Sequence, residues 1–213
     1  MAERYPGYDV LSKRHTMSWN EITRRVVDHR MAVPREPRFF SKVEWEALNA
    51  VCGRILPQPK NRPPIPLAAL IDQKLMKEGD KGFRVAPLPY QGEAWKRGLA
   101  ALDAEARSTY GARFCELAPD AQDALLKRME EGELKNPAWG DMPSKMFFSK
   151  RVVVDVPAAY YSYPTAWNEI GWGGPASPRG YVRTGLNRRD PWEAVEAKPG
   201  KETEVREKNR HVG

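Results

Sequence analysis

The sequence predicts an all-α protein, a single helical domain of about five or six helices with long irregular N- and C-terminal extensions. Apolar residues recur at helical spacing in several separate segments, and most of these segments have recognisable helix start or stop residues. No second strand candidate is present with which a lone strand could pair. The 213 residues are 41% hydrophobic and 10% aromatic, which is enough for one sizeable core.

A clear helix start lies at Ser41. Ser41 and Glu44 have the spacing of a capping box, in which each side chain accepts a hydrogen bond from the other residue's backbone N–H. The helix is expected to stop before Pro57, and Phe40 to pack on its first turn. Its apolar face consists of Trp45, Leu48, Cys52 and Ile55.

Three further helices follow along the chain. The first is expected to begin at Pro66 and the third near Pro119, because proline suits the first helical position. Gly111 and Gly132 are suitable left-handed terminators for the second and third. We expect one shared core formed by Trp45, Leu48, Cys52, Trp95, Leu99, Leu102 and Leu125.

The segment "KMFFSKRVVVDVPAAYYSYP" fits two structures. Its three consecutive valines favour a strand, whereas Met146, Phe147, Arg151 and Val154 fit one face of a helix. We predict a helix, because an isolated strand would leave its backbone groups without partners. Pro157 is expected to kink this helix.

We divide the chain into four parts. Residues 1–38 form a polar N-terminal arm with a short helix from about Ser18 to Met31. Residues 39–163 form the helical domain, residues 164–197 an irregular segment that we call the strap, and residues 198–213 a charged, flexible tail. An irregular stretch as long as the strap usually carries function when it is ordered.

The net charge of +7 raises the possibility of nucleic-acid binding. Much of that charge lies at the ends, because the arm has a net charge of +3 and the tail of +2. No nucleic-acid-binding motif accompanies it. The sequence therefore favours a protein that does not bind nucleic acid.

Sequence motifs for a resident cofactor or metal are absent. There is no glycine-rich phosphate loop in a strand-to-helix context, no nucleophile elbow and no zinc-protease motif. Cys52 and Cys115 lack metal or haem spacing and are expected to be buried hydrophobes, although a disulfide stays open. The histidines show no metal-ligand spacing either; they are His15, His29 and His211.

No segment approaches the length of a membrane helix, so no direct membrane insertion is expected. Arg24 and Arg25 are followed by only two apolar residues, which is too few for the hydrophobic region of an export signal. The expected compartment is the cytoplasm, with the periplasm as the alternative if an exported partner carries the chain.

The order and spacing of these elements resemble the gluconate 2-dehydrogenase subunit 3 family, from about Phe39 to Tyr181. The resemblance rests on the Asp72 helix after its proline-rich loop and on four sequence stretches. These are "FFSKVEWEALNAVCGRILP", "GLAALDAEARSTYGARF", "LLKRMEEG" and "YYSYPTAWNEIGW". The chain differs from relatives at Pro157 and at Ala166-Trp167, where relatives tend to have two glycines.

The resemblance implies a non-catalytic helical subunit that binds a larger FAD-containing subunit of the glucose-methanol-choline oxidoreductase class. That partner would oxidise a sugar, polyol or glycoside, and the complex could be a larger hetero-oligomer. No cofactor is expected in this chain. Many relatives also carry a twin-arginine export signal, which this sequence lacks, so the implied role is to stabilise or mature the catalytic subunit.

The stretch "NEIGWGGPASPRGY", residues 168–181, is expected to grip that partner. Tryptophan, tyrosine and arginine are the residues most enriched at binding hot spots, and a preformed loop loses little entropy on docking. The predicted docking residues are Tyr161, Tyr163, Trp167, Asn168, Trp172, Arg179, Tyr181 and Trp192.

Three alternatives remain open at this point. Trp167 and Trp172 could simply pack the strap onto its own subunit. The chain could be a self-sufficient enzyme that uses Asn168, Arg179 and Tyr181, or a basic nucleic-acid or scaffold protein.

Overall fold

The computed structural model describes residues 3–60, 62–82, 84–183, 185–186 and 188–212. Within these ranges the protein is all-α, as predicted, with no strand and one isolated bridge between Trp19 and Ser177. The helices are α1 (Glu21–Met31), α2 (Lys42–Ile55), α3 (Leu67–Glu78), α4 (Gln91–Tyr110), α5 (Pro119–Glu131), α6 (Ser144–Phe147), α7 (Val153–Ser162), α8 (Trp167–Ile170) and α9 (Glu202–Arg210).

The chain forms two compact units, and this division differs from the four predicted parts. The helical unit runs from Val33 to Tyr160. The terminal unit combines the residues up to Ala32 with those from Tyr161 onward, so that arm, strap and tail belong to one unit. The apolar residues of arm, strap and tail pack on partners that lie far away in the sequence.

The helical unit has the predicted core. Six of the seven expected residues are buried, and only Trp45 is half-buried. The capping box of Ser41 and Glu44 is present, and both predicted glycine terminators adopt left-handed conformations. These local signals therefore positioned α2, α4 and α5 correctly.

Two buried carboxylates join elements of this unit. Asp72 on α3 accepts hydrogen bonds from the backbone N–H groups of Arg38, Phe39 and Phe40, at 2.9, 3.0 and 3.1 Å. Asp155 on α7 accepts a hydrogen bond from Trp95 Nε1 on α4 at 2.8 Å. Asp72 thereby fixes the chain that leads into α2.

The ambiguous segment is helical, as predicted. It consists of α6, a π-helical turn from Phe148 to Val152, and α7, which contains Pro157. Proline has no N–H group to donate to the preceding turn, so an irregular hydrogen-bond pattern nearby is expected.

The terminal unit has its own core, which includes residues from arm, strap and tail. The buried members are Tyr5, Tyr8, Val10, Trp19, Val27, Trp167, Ala194 and Val212. The segment expected to be a flexible tail forms α9 instead. Asn209 of this helix donates to the carbonyl oxygens of Pro6 and Val195, both at 3.0 Å, and thus ties the tail to the arm and the strap.

Both cysteines are free thiols. Burial raises the pKa of Cys52 to about 12, which fits its predicted role as a small buried hydrophobe. Cys115 was predicted to be buried as well but is only half-buried. In the ranges given above, no helix has both the length and the apolar character needed to cross a membrane. The same ranges contain no cluster of His, Cys, Asp or Glu side chains suited to a metal ion.

Candidate functional site in the terminal unit

The glycines of the strap allow close packing within the terminal unit. Gly171 and Gly174 have φ angles of +65° and +68°, which side-chain-bearing residues rarely adopt. A Cβ atom on Gly171 would lie 2.4 Å from the ring of Tyr5, and one on Gly174 would lie 2.9 Å from the ring of Trp167. The strap therefore lies directly on its own subunit at both positions.

The two tryptophans of the strap have different environments. Trp167 is fully buried, and its Nε1 donates to the carbonyl oxygen of Tyr161 at 2.7 Å. Trp172 packs edge-on against Trp167 with 4.5 Å between ring centroids, yet 43% of Trp172 is exposed. Trp167 is thus a core residue that supports Trp172, and Trp172 is available to a partner.

Asn168 and Tyr163 hold the strap to the arm. The Asn168 side chain accepts from the Val10 N–H at 2.8 Å and donates to Asp9 Oδ1 at 3.4 Å. Tyr163 is buried and donates to the carbonyl oxygen of Met31 at 3.4 Å. The contacts of both side chains are internal to the terminal unit.

Arg179 and Trp192 form a pair within the strap. The guanidinium lies over the Trp192 ring, 4.5 Å from its centroid, and donates to Ser18 Oγ at 3.1 Å. Tyr181 donates to the carbonyl oxygen of Gly174 and is 40% exposed. Burial, with the nearby acidic groups Glu193 and Asp190, raises the pKa of Tyr181 to about 12, which makes it a poor general base near neutral pH.

Three of the eight predicted docking residues are therefore well exposed: Tyr161, Trp172 and Tyr181. Ile170 and Val182, which the sequence analysis did not select, are exposed beside Trp172 and Tyr181 along the chain. Ile170 and Val182 are exposed because other strap residues fill the core. The sequence has no period that shows which strap residues are buried. We call these five residues, of which Tyr161 at the end of α7 lies just before the strap, the exposed strap surface.

Lys13 is a second feature that sequence reasoning missed. It belongs to a short 3₁₀ helix, Val10–His15, and is only 1% exposed. Its ammonium group makes no hydrogen bond or ion pair with any residue in the described ranges. Burial lowers its pKa to about 8; the charge of Arg179 acts in the same direction and that of Glu193 opposes it.

The lowered pKa of Lys13 predicts a pH-dependent stability. The unfolded chain keeps its lysine protonated up to its ordinary pKa of 10.5, so between the two pKa values the unfolded state binds more protons. Stability should therefore rise with pH, by about 1–2 kcal/mol from about pH 7 to about pH 9.5, after allowance for solvent screening. Urea unfolding of wild type and Lys13→Met across this range measures the effect as the difference between the two curves.

The comparison with Lys13→Met is needed because Cys52 and Tyr181 make the free energy of unfolding fall, and not rise, as the pH increases. The pKa values of both are raised by burial, so their contributions to stability decline as the unfolded chain deprotonates at alkaline pH. If the free energies of unfolding of wild type and Lys13→Met change in parallel with pH, the pKa of Lys13 is not lowered.

A family model described as gluconate 2-dehydrogenase subunit 3 matches residues 42–174, more than half of the chain. The chain belongs to this family. The resemblance inferred from the sequence is thereby confirmed. No curated protein and no solved structure matches the chain.

The gluconate 2-dehydrogenase subunit 3 match covers α2 to α8 and ends at Gly174, within the strap. It includes Trp172 and the buried Trp167, whereas Arg179, Tyr181 and Trp192 lie beyond it. The family is one of subunits of a dehydrogenase complex. Membership in a family of complex subunits therefore indicates protein–protein contacts. Within the matched residues, the exposed face of Trp172 is a candidate for such a contact.

Proposed function

We propose that the chain is a non-catalytic accessory subunit that binds and stabilises or matures an FAD-dependent dehydrogenase subunit of the glucose-methanol-choline class. The partner oxidises a sugar or glycoside, and hydride passes from substrate to flavin wholly within the partner. Membership in the gluconate 2-dehydrogenase subunit 3 family is the observation that carries this proposal.

The exposed strap surface supplies suitable anchors for such a partner. Large aromatic side chains dominate the energetics of interfaces, and they contribute most when they are held rigid before binding. Trp172 meets both conditions, because Trp167 supports its ring and Tyr8 donates to its carbonyl oxygen at 3.3 Å. A partner that covers Trp172 therefore gains apolar burial at a low cost in ordering.

The self-sufficient enzyme hypothesis receives less support. Its three residues use polar atoms in contacts within the terminal unit: Asn168 and Arg179 bond to the arm, and Tyr181 bonds to Gly174 of the strap itself. A general base must reach the proton that it removes with a suitable pKa, and the pKa of Tyr181 is shifted away from neutrality.

Trp172→Ala is expected to weaken assembly with the flavin subunit about 30-fold, equivalent to about 2 kcal/mol. The tagged full chain is purified with its catalytic subunit from cells that make both, and flavin absorbance reports the partner. Titration of the separated subunits then gives the affinity, and circular dichroism reports the helices of the variant.

Tyr110→Ala is the matched control, because Tyr110 is an aromatic residue of similar exposure, 44%, in the helical unit. It should leave the affinity nearly unchanged. Equal affinities of wild type and Trp172→Ala would refute the docking role of Trp172. Loss of helicity in Trp172→Ala would instead assign this tryptophan to the core of its own subunit.

A further inference from the structure

Arg151 is a buried arginine without a counter-charge in the described part of the chain. It lies in the π-helical turn before α7 and is only 8% exposed. Its side chain makes no hydrogen bond or ion pair with any described residue, and its Nε atom is buried. Arginine keeps its charge in proteins, so deprotonation does not remove the problem. An unpaired buried charge is costly, and proteins usually supply a partner for it.

The open edge of the Arg151 guanidinium reaches the protein surface. Nε is the one nitrogen of this side chain that is buried without a partner among the described residues, so Nη1 and Nη2 retain contact with solvent. These two nitrogens form one edge of the guanidinium, and a carboxylate can accept hydrogen bonds from both at once. The position therefore suits an acceptor that approaches from outside the chain.

The only acidic residue of α7 does not serve as this acceptor. Asp155 lies four residues after Arg151, a spacing at which helical side chains often pair. Its carboxylate instead accepts hydrogen bonds from Gln91 and Trp95 and forms an ion pair with Lys74. No ion pair joins Asp155 to Arg151 in the part of the chain that the structure describes. The counter-charge of Arg151 is therefore left to another molecule.

The outward side of α7 is apolar. Val153, Val154 and Ala158 are exposed there, and Pro157 is half-buried. We call these four residues the outer face of α7. A helix side that faces water normally carries polar or charged residues. An apolar outer face therefore indicates that another surface covers it in the working protein.

Arg151 borders the outer face of α7. It precedes Val154 by three residues and Ala158 by seven, which are the spacings of side chains along one stripe of a helix. A surface that covers Val154 and Ala158 would therefore also reach the open edge of the guanidinium. Apolar contacts around an arginine–carboxylate pair exclude water and strengthen the attraction.

We propose that Arg151 and the outer face of α7 form a docking surface for the dehydrogenase subunit, which places an Asp or Glu carboxylate on the guanidinium among apolar side chains. The identity of this occupant rests on the proposed function. Charge complementarity supports it, because one molecule is expected to supply both the carboxylate and the apolar cover along a shared stripe. The surface lies in the helical unit and within residues 42–174, which match the family of dehydrogenase-complex subunits.

Arg151→Met tests the charged part of this surface. The affinity of the full chain for the dehydrogenase subunit, measured by calorimetric titration, should fall at least tenfold. Urea unfolding of the free chain should show equal or higher stability, because methionine removes an unpaired charge and keeps an unbranched apolar stem. An arginine with a purely structural role would lose stability on this change. Arg107→Met is the control, because Arg107 is an exposed arginine of the same unit, and it should leave the affinity unchanged.

Val154→Ser tests the apolar part of the surface. It removes apolar area that a partner would bury, so the affinity should fall several-fold while the free chain keeps its stability. Val43→Ser is the matched control and should bind like wild type, because Val43 on α2 is 49% exposed and Val154 is 50% exposed. Since Val154 is exposed, this variant tests the surface even if Arg151→Met unfolds the chain.

A loss of affinity in either variant, with the stability of the free chain retained, would support the α7 docking surface. The surface is overturned, and the proposed function stands, if the wild-type complex forms but Val154→Ser leaves its affinity unchanged and Arg151→Met either does the same or lowers the stability of the free chain. Failure of the wild-type subunits to bind each other would overturn both. Light scattering tests a second copy of the chain as the occupant: a dimer that both variants but neither control convert to monomers would overturn the assignment to the dehydrogenase subunit.

Discussion

Asp155→Ala is expected to lower the free energy of unfolding by about 3–5 kcal/mol. Asp155 is 5% exposed and accepts hydrogen bonds from Trp95 Nε1 at 2.8 Å and Gln91 Nε2 at 2.8 Å. Lys74 Nζ lies 3.5 Å from the same carboxylate. Alanine would leave an indole and an amide donor without this acceptor and Lys74 without its counter-charge.

Urea unfolding followed by circular dichroism measures this loss. Asp141→Ala is the control, because Asp141 also pairs with a basic side chain, Arg97, but its own side chain is 87% exposed. Surface ion pairs contribute little, so the control should lose far less stability. Similar losses in the two variants would show that the buried carboxylate does not hold α3, α4 and α7 together.

The helical unit could be predicted from the sequence because its signals are local. The capping box at Ser41, the glycine after α4 and the apolar period of each helix all act within a few residues. The network of Asp155 could not be predicted in the same way. It joins residues that are 60 or more positions apart, and a single aspartate in a helix looks like an ordinary solvated side chain.

The terminal unit was harder to predict, since its stability comes from contacts between distant segments. Tyr5 in the arm packs at Gly171 in the strap, and Asn209 in α9 bonds to Pro6. The strap and the start of the arm have no period that would reveal a buried face, and the only apolar residue that α9 buries is Val205. The sequence alone therefore predicts a flexible tail where α9 lies, and it predicts separate extensions where arm and strap share one core.

The candidate site could be predicted only in part, because burial in the terminal unit depends on contacts between distant segments. The aromatic composition of the strap indicated an interaction segment, but only the structure separates the buried Trp167 from the exposed Trp172. Lys13 gave no signal, because a lysine beside Arg14 in a basic arm is normally solvated. The glycines and the aromatics of the strap thus have separate roles, which can be tested separately.

Gly174→Ala is expected to destabilise the terminal unit by about 3–4 kcal/mol. The substituted Cβ would lie 2.9 and 3.0 Å from two Trp167 ring atoms and 3.3 Å from Val10 Cγ2, all within the buried core. Overpacking of a core typically costs about 1–3 kcal/mol, and a left-handed backbone conformation costs a non-glycine residue about 1–2 kcal/mol more. Urea unfolding followed by near-ultraviolet circular dichroism, which senses all seven tryptophans including Trp167 and Trp172, measures the loss.

Gly180→Ala is the matched control for Gly174→Ala. Gly180 has a similar φ angle of +73°, but no atom would lie within 4 Å of its substituted Cβ, so only the backbone cost applies. If the glycines serve packing within the subunit and Trp172 serves the partner, Gly174→Ala should lose stability before any partner is added. Trp172→Ala should instead keep most of its stability and lose affinity. Equal losses of stability in Gly174→Ala and Gly180→Ala would mean that the strap does not rest on Trp167, and the rigid support proposed for Trp172 would then fail with it.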